Sequence, residues 1–248
     1  MTTIDLNADV GEMAADLDER IVEVVSSVNI ACGGHAGDDS TMRTVSSLAA
    51  DAGVRIGAHP SYLDREGFGR HHQQVPPGLL AAQIQDQILR LAGNSPAPVE
   101  YLKPHGALYH AAAQDKDVAA AVVTAALAAA EELGTRLALM GQPGSQYLQL
   151  ARSHGVPVIH EGFADRAYRA DGQLVPRSQP GSVLTDDEAV LGQVTRLARG
   201  SVTTVDGRLI ALRAESVCLH SDTPGAADLA RRVRTHLDST GIRVRARP

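Results

Sequence analysis

The stretch Val99-Glu100-Tyr101-Leu102-Lys103-Pro104-His105-Gly106 decides the fold. Its short apolar run, Val99 to Leu102, reads as a strand. The run stops at a lysine, a proline and a histidine. A strand that delivers titratable groups at its C-terminal end is the repeating unit of parallel α/β active-site faces. The same punctuation recurs along the chain. Residues 3–6 run into Asn7-Ala8-Asp9-Val10-Gly11-Glu12, and 28–31 into Cys32-Gly33-Gly34-His35-Ala36-Gly37-Asp38. Residues 54–58 end at His59-Pro60, 156–159 at His160-Glu161 and on to Asp165-Arg166, and 217–219 at His220-Ser221-Asp222. Residues 137–140 complete the set of strands.

Helix-like segments near 14–25, 40–52, 78–92, 115–133, 145–154 and 185–199 separate these strands, and another at 225–239 follows them. The alternation points to βα units and a parallel sheet. Seven such units fit a closed barrel better than an open sheet, although periodicity does not itself report closure. Residues 202–205 and 208–212 flank Asp206-Gly207, a strong hairpin signal, and predict an antiparallel excursion before the last unit. No linker or composition shift divides residues 1–248, which read as a single catalytic domain.

Composition removes several function classes. The chain has 248 residues, 44% hydrophobic and 21% charged, with a formal net charge of −6. That is the profile of a globular protein, not a disordered one. The acidic balance and only seven aromatic residues (Tyr 5, Phe 2, Trp 0) argue against nucleic acid. The N-terminus lacks a signal-peptide pattern, and the alanine-rich run 118–130 is too short to span a bilayer. Cys32 and Cys218 make no metal-type spacing, so a reducing, cytoplasmic setting is expected. The basic tail with Arg243, Arg245 and Arg247 reads as a solvated terminus.

The polar residues at strand ends define a candidate site on one face. Asp9 and Glu12 flank Gly11; their alternative is to charge the first helix N-terminus. His35 lies in a glycine-rich loop suited to anions, and Asp38 or Asp39 can equally cap the next helix. His59 is held extended by Pro60, with a buried structural role as the alternative. Lys103 carries extra weight as one of two lysines, with His105 beside it; a cation there can neutralise a carboxylate, phosphate or oxyanion. Arg70, after Gly67-Phe68-Gly69, is a better anion-binding candidate than His71 or His72. His160 reads equally well as a buried strand residue. No P-loop, GxGxxG after the first strand, GxSxG elbow or HExxH helix is present. The cluster suits either a divalent cation that activates water or direct acid–base work with an anion clamp.

The segments 5–12, 29–38, 57–60, 67–70, 103–109 and 161–168 together closely resemble the LamB/YcsF family, in order and over nearly the whole chain. The resemblance implies a distorted seven-stranded (β/α) barrel of the glycoside hydrolase/deacetylase type. It further implies ATP-dependent ring opening of 5-oxo-L-proline (pyroglutamate) to L-glutamate by a complex of this family's A subunit with B and C subunits. Deacetylases of that fold bind a divalent metal through an Asp and two His, which map onto Asp9, His35 and His59; a cation such as Mg2+ and the co-substrate ATP are the cofactors so implied. The expected catalytic residues are Asp9, Glu12, His35, His59, Lys103, His105 and His220. The expected substrate-binding residues are Asn7, Arg70, Tyr109, Asp165 and Arg166. Tyr62, Phe68, Tyr109, Phe163 and Tyr168 are expected to shape and dry the pocket.

Departures from the family pattern are few: Ala8 where Cys is usual, Gly34 where a bulky residue is usual, Ser61 for Gly and Leu63 for Pro. None removes a titratable group, but Gly34 and Ser61 put substrate fit in question. Two other readings remain: a metal-dependent amidase or deacetylase acting on acylated amino sugars, and a non-catalytic subunit that binds a small carboxylate. Replacing Lys103 or Asp9 by alanine is expected to abolish turnover and spare folding.

Overall fold

In the computed structural model, described for residues 2–13, 15–219 and 225–246, strands and helices alternate as the sequence predicts. The strands are β1 (Thr3–Val10), β2 (Ser27–Ala31), β3 (Arg55–His59), β4 (Val99–Leu102), β5 (Ala138–Gly141), β6 (Val158–Phe163), the hairpin β7 (Ser201–Thr203) and β8 (Leu209–Ala211), β9 (Ser216–Leu219) and β10 (Arg243–Val244). The helices are α1 (Ala15–Val22), α2 (Asp39–Asp51), α3 (Pro77–Asn94), α4 (Gly106–Gln114), α5 (Lys116–Leu133), α6 (Gln146–Ser153), α7 (Asp187–Ala198) and α8 (Ala226–Ser239).

Strands β1-β2-β3-β4-β5-β6-β9 pair in parallel, and β9 pairs back to β1, closing a seven-stranded barrel. The β4–β5 seam is short, with Tyr101 and Leu102 opposite Ala138 and Leu139, and the β3–β4 register shifts between Ile56 and Gly57. The closed barrel expected from the unit count is therefore what the chain forms, with local distortion at β3–β5. The hairpin flanks Asp206-Gly207 as expected, with Gly207 at φ +79° in the turn.

Some boundaries differ for physical reasons. Strand β1 runs on through Val10, because Asn7 and Asp9 find side-chain partners inside the barrel and do not need solvent. Strand β6 likewise carries His160 and Glu161 within it. Helix α4 is additional; its sequence, GALYHAAAQ, lacks a clear amphipathic period. Asp115 then ends it and caps α5, accepting from the Asp117 and Val118 N–H groups. Asp38 is the N-cap of α2, bonded to the Thr41 N–H. The tail does not stand free: Arg243 and Val244 extend the sheet in parallel beside Thr3 and Ile4. Arg247 lies outside the described residues.

Alternation along each strand divides apolar from polar. Leu6, Ala8 and Val10 face the helices and join one large cluster that includes Ile30, Ile56, Leu102, Leu139 and Val217. The lumen has two halves. Near β4–β6 it is filled by Tyr101, Ala138, Met140 and Ile159. Near β1, β2 and β9 it is polar and paired: Asp5 accepts from Ser26 and Ser27 at 2.6 and 2.8 Å, and Asn29 Nδ2 donates to Asn7 at 2.8 Å and Asp9 at 2.7 Å. Tyr101 crosses between the halves, its hydroxyl donating to the Val28 carbonyl or Asn29 Oδ1, both at 2.8 Å.

Room for that ring comes from Gly57, where an added Cβ would lie 2.3 Å from ring carbons of Tyr101. Gly57→Ala should therefore lower stability by about 1–3 kcal/mol through overpacking, read as a shifted urea midpoint with an unchanged slope. Combining it with Tyr101→Leu, which clears the clash, should make the second change cost less than it does alone.

Candidate active site

At the C-terminal ends of the barrel strands lies a cavity of about 420 Å³. Its floor is Asp9, Glu12, His59, Lys103 and His105; its walls include Tyr109, Phe163, Leu174 and Val175. Arg166 stands deeper in the wall, and Arg70, Arg169 and Arg177 surround the upper part. This is the strand-end face that the sequence singles out.

Lys103 lies at the base of the floor, 2% exposed. Its Nζ lies 2.9 Å from Asp9 Oδ1, 2.9 Å from Glu161 Oε1 and 3.2 Å from Cys218 Sγ. Burial alone would favour loss of its proton, but the Asp9 and Glu161 carboxylates outweigh that and hold its pKa well above the usual lysine value. Cys218 remains a thiol, since burial pushes its pKa well up despite the lysine. Glu161 also accepts from the Tyr109 hydroxyl at 3.0 Å. This wholly buried carboxylate is not among the expected site residues; its place directly after the β6 apolar run is the signal that could have found it.

Beside this charge group stands a histidine cluster. His59 Nδ1 is 2.7 Å from the Lys103 carbonyl, and His105 Nε2 is 3.0 Å from the Phe68 carbonyl. Carbonyls only accept, so these ring nitrogens carry protons. The remaining nitrogens, His59 Nε2 and His105 Nδ1, face each other at 3.0 Å. Two lone pairs at that distance repel unless a proton or a cation lies between them. Glu12 Oε1 approaches all three rings, at 2.8 Å from His35 Nε2, 3.1 Å from His105 Nδ1 and 3.7 Å from His59 Nε2. Burial raises the Glu12 pKa, but bonds to His105 and His35 prevail and hold it well below the carboxylate range. His35 is pushed down to about 4, chiefly by burial. His59 is depressed by burial, but Asp9 reverses this and its pKa is raised.

Local backbone conformation brings these groups together. Gly11, at φ +74°, turns the chain from β1 so that Glu12 folds back over the barrel, and its N–H donates to Asp18 Oδ2 at 3.0 Å. His35 stacks on His105 with ring centroids 3.6 Å apart. Phe68, at φ +53°, sets its ring edge-on to both. A Cβ on Gly69 would lie 2.9 Å from His105 Cδ2 and His35 Cβ, so the Gly67–Arg70 loop can close over the histidines only with glycine there.

The donor set fits a divalent cation. Glu12, His35, His59 and His105 each offer an atom within 4.8 Å of the others. Carbonyl bonds to the far nitrogens of His59 and His105 orient the rings as in protein metal centres. Three nitrogens and one carboxylate suit a first-row ion such as zinc better than Mg2+, which prefers oxygen. The group differs from the expected Asp9, His35 and His59: Asp9 is drawn to Lys103 and Asn29, and Glu12 and His105 occupy its place.

The other expected residues fall in different places. Asn7 does not reach the cavity; it is buried in the lumen, bonded to Asn29 and to Ser216 at 2.7 Å. Asp165 is buried and does not line the cavity, whereas Arg70, Tyr109 and Arg166 do. His220 lies outside the described residues. Of the aromatic residues, Tyr109 and Phe163 form cavity wall, Phe68 packs behind the histidines, and Tyr62 and Tyr168 are buried in the core. Gly34 and Ser61 do not touch the cavity; a Cβ on Gly34 would come 2.5 Å from Ser61 Oγ, so these two departures adjust to each other behind the site. The segment 169–186, which supplies Arg169, Gln173, Val175 and Arg177, escapes sequence reading because it follows no period.

The burial of Lys103 also revises what its removal does. Lys103→Met strands Asp9 and Glu161 without their cation and should destabilise the fold by about 3–5 kcal/mol. Adding Glu161→Gln should restore part of that loss in a denaturation cycle; additivity of the two changes would contradict the pairing.

Other proteins share this arrangement of chain. The LamB/YcsF family profile matches residues 4–248. The 5-oxoprolinase A subunit of Streptomyces avermitilis is 50% identical over an alignment of 259 residues, covering 98% of this chain and 99% of that protein. The crystal structure of a lactam utilization protein from Thermus thermophilus superposes with a TM-score of 0.89 at 38% identity, covering 99% of this chain and 100% of the other. A family 4 carbohydrate esterase from Streptomyces lividans shares the fold at a TM-score of 0.52 and 9% identity, over 98% and 91% of the two chains. With a family match spanning the barrel from β1 to the C-terminal tail, the chain belongs to the LamB/YcsF family.

Proposed function

We propose that this chain opens the ring of 5-oxo-L-proline to give L-glutamate, as the A subunit of an ATP-dependent 5-oxoprolinase completed by B and C subunits. The observation that carries the reading is end-to-end relationship to a 5-oxoprolinase A subunit, in a chain whose acid, base and cationic groups line a single cavity. The setting is the cytoplasm. Both cysteines are free and buried, and no helix among the described residues is long and apolar enough to cross a membrane.

The chemistry needs each part. A five-membered lactam is an unstrained amide, so its opening requires an activated carbonyl, a water and a proton for the departing nitrogen. ATP supplies the activation if its γ-phosphoryl group passes to the lactam oxygen, releasing ADP and leaving an imidate-like electrophile; once water has added and the C–N bond has broken, a second water hydrolyses the resulting γ-acyl phosphate to glutamate and phosphate. Lys103, fixed in its charged form, holds the Asp9 carboxylate in place at the floor, where water meets the lactam carbon. Arg166 stands on the wall, held by the Ser182 and Val175 carbonyls, to receive the carboxylate. Glu12 with His59 and His105 takes the proton from water and returns one to the ring nitrogen. With a divalent ion held by Glu12, His35, His59 and His105, these groups would serve as ligands instead of proton carriers, and the ion would supply Lewis acidity at that floor.

Glutamate release from 5-oxo-L-proline tests the reading, measured with and without ATP, alone and with the partner subunits. Release that needs both ATP and partners is expected. ATP-independent deacetylation of an N-acetylated amino sugar, or no turnover with tight carboxylate binding, would replace it. His105→Ala in the assembled complex should cut turnover by about 10²-fold or more relative to wild type compared at equal folded fraction. Metal analysis of the purified chain should find a first-row ion that chelator removes and that the double variant His59→Ala/His105→Ala fails to retain; metal content unchanged in that variant would exclude these ligands.

A further inference from the structure

The cavity is larger, and more positive at its mouth, than a small monocarboxylate requires. A single five-membered ring with one carboxylate leaves much of about 420 Å³ unfilled. One carboxylate accepts one guanidinium fork. The lining nevertheless carries four arginines, in a protein whose net charge is −6. Arg166 is the deep one: it is buried, and its Nε and Nη2 are spent on the Ser182 and Val175 carbonyls. Arg70, Arg169 and Arg177 lie farther out and are exposed.

These three come from separate places in the chain. Arg70 ends the Gly67–Arg70 loop, with its guanidinium 5.0 Å over the Phe68 ring. Arg169 and Arg177 flank the turn at Gly172, where Arg169 donates to exposed Asp171 at 3.1 Å. Such a surface pair is weak and exchangeable. Between them Leu174, Val175 and Pro176 form an apolar stretch that limits water at the mouth. Burial first, and then Arg177, depress the pKa of Arg166, and both arginines depress His110 after its burial. Arg177 thus bears on both Arg166 and His110 across the cavity they line, positive potential that favours an anion there. Guanidinium groups brought to one cavity from the Gly67–Arg70 loop and from the segment around Gly172 suit the tetrahedral oxygens of a phosphate better than a flat carboxylate.

We propose that Arg70, Arg169 and Arg177 form a second subsite at the cavity mouth that binds a phosphate-type dianion, next to the deeper position occupied by the lactam. The proposal rests on the lactam-opening reading for the identity of that deeper neighbour, but the subsite itself follows from the arginines. Neither Arg169 nor Arg177 stands out in the sequence.

Calorimetric titration of inorganic phosphate into the full-length chain at fixed ionic strength tests this, with 5-oxo-L-proline titrated in parallel. Saturable phosphate binding is expected, weakened at least about tenfold in Arg169→Gln/Arg177→Gln. Arg232→Gln, which removes a charge on α8, should leave phosphate affinity unchanged. Saturating 5-oxo-L-proline should leave phosphate able to bind; mutual exclusion would overturn the two-subsite arrangement. Absence of saturable phosphate binding, or equal affinity in wild type and double variant, would also overturn it. So would a double variant that binds phosphate normally but no longer assembles with partner subunits, which would assign the arginines to docking. Phosphate binding lost in the double variant, with no 5-oxo-L-proline binding by wild type, would retain the subsite and reject the lactam.

Discussion

The ammonium of Lys103, enclosed between Asp9 and Glu161, is the interaction on which the site depends. A buried charge is tolerated only when paired and hydrogen-bonded. Pairing here requires carboxylates from β1 and β6 to converge on a lysine that follows β4. Barrel closure brings those strand ends around one lumen. The same closure forces polar residues inward along β1, β2 and β9, where Asp5, Asn7, Asn29 and Ser216 satisfy one another. Opposite them, Tyr101, Met140 and Ile159 exclude water and keep the pair in a medium of low polarity.

The backbone of Lys103 links that charge pair to the histidines. Its carbonyl fixes the His59 tautomer, and His105 follows two residues later. Backbone bonds from Lys103 N–H to the Ala58 carbonyl and from His105 N–H to the Pro60 carbonyl carry the pairing past Pro104 and hold the two histidines side by side. The Gly67–Arg70 loop then closes from above, with the Phe68 carbonyl fixing His105. One strand end thereby sets a permanent cation on one side of the floor and a proton- or metal-binding cluster on the other.

Much of this was legible in the sequence. Short strands ending in Asp9, His59, Lys103 and His105 named the face and most of its floor. Lysine scarcity singled out Lys103, which sits at the centre. What stayed hidden depends on contacts between distant segments. Whether Asn7 faces substrate or neighbouring strands depends on how far β1 continues, and that is set by Asn29 and Ser216. The choice between Asp9 and Glu12 within the histidine cluster depends on competition from Lys103. Arg169 and Arg177 lie in an irregular segment whose short antiparallel bridges, Arg166 with Val183 and Tyr168 with Leu174, leave no periodic pattern.

Everything at the floor turns on a fully charged lysine enclosed beneath the lactam. The protein contains two lysines, Lys103 and Lys116, so lysine-selective 15N labelling yields side-chain spectra simple enough to assign with Lys116→Arg. One Nζ resonance should stand at the ammonium position, protected from solvent exchange at neutral pH, and should move as 5-oxo-L-proline is added. A Lys103 signal that exchanges as freely as that of Lys116, or one unmoved at saturating ligand, would contradict it.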